Sequence, residues 1–71
     1  MTPGQTARAA LIRYTGRCPP HVEAAADEAW GAAWDALAAK DKAEGRRYDR
    51  DRYAEAASLA RAQVYLKEMT P

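Results

Sequence analysis

The residues of this chain best suited to chemistry are few, and the sharpest group is Cys18-Pro19-Pro20-His21. A thiolate and an imidazole three residues apart make half of a tetrahedral zinc site, and a cysteine followed by proline is also the pattern of short haem-responsive segments. One half is not a site, so Cys18 and His21 bind metal or haem only if a second copy of the chain supplies the other half. The simpler expectation is that Cys18 is a helix-cap residue, His21 a solvated first-turn histidine, and that there is no cofactor. Glu23, Asp27 and Glu28 lie about one helical turn apart and are able to orient carboxylates for a cation or for proton transfer. No second segment carries a matching Glu-x-x-His arrangement, so a di-iron bundle site is excluded, and a solvated helix face accounts for the acids. Ser58 is the only serine and His21 the only histidine. With no pair of groups in distinct acid and base roles, an enzyme is not expected.

Two further groups point to binding. Arg46, Arg47, Arg50 and Arg52, interleaved with Tyr48 and Tyr53, have the composition of a nucleic-acid contact, since arginine neutralises phosphate and tyrosine stacks on bases. Asp49 and Asp51 interrupt the run, as in a solvated turn with local ion pairs. Trp30 and Trp34 stand four apart and project from one side of a helix on successive turns. Each covers a large area and carries an indole donor that needs an acceptor, which is why tryptophan is enriched at interface hot spots. The expected contact residues for a protein partner are therefore Trp30, Trp34, Leu37, Leu59, Tyr65 and Leu66.

The elements that must position these residues follow from punctuation. Thr2-Pro3-Gly4-Gln5 fits a capping box with proline in the first turn. It starts helix 1, over residues 3 to 15, with Ala7, Ala10, Leu11 and Tyr14 inward and Gly16 as the stop. The Pro19-Pro20 pair opens helix 2, over 20 to 44, with acids in its first turns and Lys40 and Lys42 in its last, matching the helix dipole. Its apolar stripe is Val22, Ala26, Ala29, Trp30, Ala33 and Leu37, with Trp34 at the margin. Gly31 weakens it by about 1 kcal/mol against alanine and offers room for another backbone. Gly45 ends helix 2, and Asp49 caps helix 3, over 49 to 69, whose stripe is Tyr53, Ala57, Ala60 and Val64, with Leu59 and Leu66 on one flank.

The fold class expected is all-α: a short N-terminal helix and a long antiparallel helical hairpin, three helices in a bundle-like arrangement forming one domain over residues 1 to 71. Eighteen of the 71 residues are alanine, so helix axes can approach closely and packing contacts replace bulky side chains. A chain this short has a lean core, and the wide face of helix 3 calls for helix 1 or a second copy to complete it. Arg8, Arg13 and Arg17 precede an acid-rich start of helix 2, and the two segments attract. Net charge is +1, so no global field draws the chain to nucleic acid or membrane, and no apolar run spans a bilayer. A single cysteine suits a reducing cytoplasm.

The function expected is a small non-catalytic protein–protein interaction module, a homodimer or an adaptor on a larger protein. Accessory or inhibitory factors of mobile elements such as phages have this size and simplicity. The alternative is a nucleic-acid-binding regulator using the 46 to 52 arginine cluster.

Overall fold

The computed structural model describes residues 1 to 70. They form three helices, α1 (Pro3–Thr15), α2 (Pro20–Ala43) and α3 (Arg50–Glu68), with no strand among the described residues. The antiparallel hairpin of α2 and α3 is as expected. α3 is the central element: both other helices pack on it, and α1 and α2 reach each other only through side chains such as Arg8 and Glu23.

Local chemistry sets the helix ends. The Thr2 hydroxyl accepts from the Gln5 amide at 3.2 Å and the Gln5 side chain accepts from the Thr2 amide at 3.0 Å. These bonds satisfy two donors that a helix N-terminus otherwise leaves open. Gly16 closes α1 at φ 89°, a left-handed conformation that a side chain disfavours, and its amide bonds to the Ile12 carbonyl at 2.7 Å. The Asp49 carboxylate caps α3 by accepting from the Arg52 amide at 3.2 Å.

The helices pair in opposite senses. Tyr65 meets Glu23, Arg61 meets Asp27 and Arg52 meets Asp41, so α2 runs antiparallel to α3. Gly4 lies against Ser58, and Leu11 packs in one cluster with Tyr65 and Met69, so α1 runs parallel to α3. That cluster, Ala7, Leu11, Val22, Ala26, Ala62 and Tyr65, is the three-helix part of the core. Beyond it, towards the 44–49 turn, only α2 and α3 remain, and the molecule is long for its mass, 44 × 21 × 18 Å.

Three sequence expectations change. The inward flank of α3 is Ser58, Ala62 and Tyr65, all buried, because α1 docks there; Ala60 and Val64 of the expected stripe are only half-buried. Tyr14 is 66 % exposed, since α1 has outrun the packed cluster by its last turn. Gly31 has nothing within 4 Å of where a Cβ would stand, so no backbone uses it for close approach; the glycine in tight contact is Gly4, whose Cβ would lie 3.2 Å from the Ser58 hydroxyl.

Candidate interaction surface

Three polar clips hold the helices in place and thereby define what is left outside. The first centres on Glu23. Its carboxylate accepts from the Tyr65 hydroxyl at 2.7 Å, the Cys18 thiol at 3.1 Å and Arg8 Nε at 3.1 Å, tying α3, the α1–α2 loop and α1 to one side chain of α2. Hydrogen bonds from Tyr65 and Cys18, with Arg8 beside them, lower the Glu23 pKa to about 2. Burial and the carboxylate push Tyr65 up to about 12 and Cys18 up to about 11. The thiol is thus held protonated, the opposite of what a metal ligand or nucleophile needs. His21 is exposed, and among the described residues no three His, Cys, Asp or Glu side chains gather around a common point.

The second clip is Arg61. Its guanidinium donates to Asp27 at 2.9 Å and lies 5.8 Å from the Trp30 ring centre, while its Cδ lies against Gly4. Below it, the Gly4 amide donates to the Ser58 hydroxyl at 3.0 Å, a cap on α1 supplied by another helix. The third clip is Asp41, only 1 % exposed and bonded to Arg52. It holds the hairpin near its turn, where the Arg46 amide also donates to the Asp41 carbonyl at 2.8 Å. Arg52 lowers the Asp41 pKa, the hydrogen bond outweighing the opposing effect of burial. Asp41 follows Leu37 at the next position of the α2 stripe, so a charge on an apolar face was the signal for this pair. Nothing in the spacing singled out Ser58.

Trp30 and Trp34 stack on each other with ring centres 5.0 Å apart, and Trp34 meets Tyr53 edge-on at 5.6 Å. They are half-buried, as is Leu37, and the indoles serve largely to pack the two-helix end of the hairpin. Tyr65 is corrected outright as a contact residue: at 3 % exposure and with its hydroxyl on Glu23 it faces inward, because α1 covers that flank. Leu59 and Leu66 are left outside, 48 % and 45 % exposed. They line a groove of about 460 Å³ between α1 and α3, together with Thr6, Ala7, Ala10, Ala62 and Gln63. No side chain of that lining is charged, and neither tryptophan nor Leu37 belongs to it. The six expected contact residues therefore do not form one patch.

The arginine cluster is also divided. Arg52 is taken by Asp41, and Arg46 donates to Glu44 at 3.2 Å. Arg47 and Arg50 are exposed with no acid at ion-pair distance among the described residues, beside a Tyr48 that is 69 % exposed. No helix among the described residues is long and apolar enough to cross a membrane.

Comparison with family models, curated proteins and solved structures returns no match. The functional reading is carried by the surface itself.

Proposed function

We propose that this chain is a small non-catalytic protein–protein interaction module acting through the α1–α3 face. In this reading it is a cytoplasmic accessory or inhibitory factor of the kind that mobile elements such as phages encode. The observation that carries the reading is the pair Leu59 and Leu66. They stand nearly half exposed along a groove that has no charged side chain in its lining, on a scaffold in which α1 and α3 carry side-chain N-caps. An exposed apolar patch on a small protein is a common form of protein contact site. The test is a photo-crosslinking residue at position 66, with position 24 on the exposed side of α2 as control, in cells of the native host. Protein adducts specific to position 66 support the module; equal labelling at both positions, or none, overturns it.

The alternative, a nucleic-acid-binding regulator, draws support from the exposed Tyr48 beside the free Arg47 and Arg50. With Arg46 and Arg52 engaged by acids, two phosphate contacts remain, so the slope of log K against log salt is about −2 at most. A probe, duplex or single-stranded, that binds at low salt with that slope and is released by Arg47→Ala with Arg50→Ala favours this alternative. No binding to either probe removes it.

A further inference from the structure

We infer that α1 is a strap that opens as a unit while the α2–α3 hairpin stays folded, and that its opening widens the apolar face of α3. The first support is how little of α1 is buried. Its buried residues are Gly4, Ala7 and Leu11, and among them Leu11 alone brings a large apolar side chain. α1 packs on α3 and not on α2. A detached helix of 13 residues is marginal in water, so α1 leaves the hairpin and loses its turns together.

The second support is that the hairpin has an attachment of its own. Trp30 stacks on Trp34 at 5.0 Å, Trp34 meets Tyr53 at 5.6 Å and Asp41 is bonded to Arg52. Tyr53 and Ala57 are fully buried outside the cluster that Ala7 and Leu11 join. None of these contacts includes a residue of α1. Opening free energies within one protein follow the density of buried contacts, and here that density is divided between a thin α1 seam and a fuller hairpin.

The third support is the chemistry of the seam. Arg8 and the Cys18 thiol each donate to Glu23 at 3.1 Å, and the Gly4 amide donates to Ser58 at 3.0 Å. The Arg8 and Glu23 side chains are already 47 % and 37 % exposed, so water takes over both charges when α1 leaves and no buried ion is stranded. Tyr65 keeps its bond to Glu23 inside the hairpin. Opening then uncovers Ser58, Ala62 and Tyr65 beside Leu59 and Leu66. These five stand at i, i+4, i+7, i+1 and i+8, a single amphipathic stripe, of which the closed form shows the leucine flank.

The experiment is amide hydrogen exchange of the full chain, followed by NMR under conditions where rates report the opening equilibrium. The amides of Ala7 to Thr15 are expected to be at least about tenfold less protected than those of Tyr53 to Ala57. Two variants alter the hairpin, which is intact in the closed and opened forms alike. Gly31→Ala, where nothing stands within 4 Å of a Cβ, slows hairpin exchange about fivefold; Asp41→Ala speeds it; neither changes the rates in α1. Arg8→Ala, which removes a partner of the seam, speeds exchange in α1 by about two- to fivefold. Equal protection of α1 and the hairpin, or α1 rates that follow the hairpin rates in Gly31→Ala and Asp41→Ala, overturns the strap, because α1 then opens only when the whole chain unfolds.

Discussion

Replacing Glu23 with glutamine is expected to remove a pH-dependent share of stability and leave the fold intact. Glutamine keeps an oxygen that can accept from Tyr65 and loses the charge that Arg8, Tyr65 and Cys18 now stabilise. The folded carboxyl sits at about 2, against about 4.3 in an unfolded chain, and at 1.36 kcal/mol per unit the difference amounts to about 3 kcal/mol. The Glu23 side chain is 37 % exposed, so solvent screens part of this and about 1–2 kcal/mol remains. Because the folded pKa is depressed, that stability is present above the unfolded pKa and is lost as pH falls towards 2. Thermal unfolding followed by circular dichroism at fixed protein concentration measures it. Glu23→Gln melts roughly 5–15 °C lower than the natural chain at pH 7, and the gap closes between about pH 4.5 and 2. Tyr65 and Cys18 are raised, so their contribution is present below their unfolded pKa values and is lost as pH rises through about 9 to 12. The variant keeps the part of that alkaline loss due to burial. A melting gap that is the same at pH 2 and pH 7, or absent at pH 7, would show that ionisation of Glu23 does not hold the three helices together.

Ser58→Ala strands the Gly4 amide against α3 and is expected to cost about 1–2 kcal/mol, with faster amide exchange in α1 than in the hairpin. Gly31→Ala is expected to raise stability by about 1 kcal/mol, because the position is helical and has open space around it; a lower melting temperature would mean that something packs there. Asp41→Ala lowers the melting temperature more than Arg46→Ala, since Asp41 is 1 % exposed and the Arg46–Glu44 pair lies at the surface with side chains 60 % and 43 % exposed.

The helix ends and the hairpin were legible in the sequence because their causes are local. A capping box, a left-handed glycine, a proline pair and an N-cap aspartate each act within a few residues, and Thr2, Gly16, Pro20 and Asp49 do in the structure what their types imply. The attraction between the basic first segment and the acidic start of α2 survives as one pair, Arg8 with Glu23. Which flank of α3 turns inward was not legible, because it depends on partners far away in sequence: Ser58 on Gly4 and Tyr65 on Glu23, 54 and 42 residues apart. Asp41 lay in plain view on the stripe, yet its partner had to be found among four arginines.

The choice of flank has an energetic side. α3 buries a serine and a tyrosine and leaves two leucines outside, although fully burying a leucine contributes about 1.5–3 kcal/mol. In an isolated chain this small, hydrogen bonds from Ser58 and Tyr65 offset little more than the desolvation of their own hydroxyls, so the arrangement leaves burial energy unused on the α1–α3 face. The polar clips, Ser58 on Gly4 and Tyr65 on Glu23, fix which flank of α3 stays out.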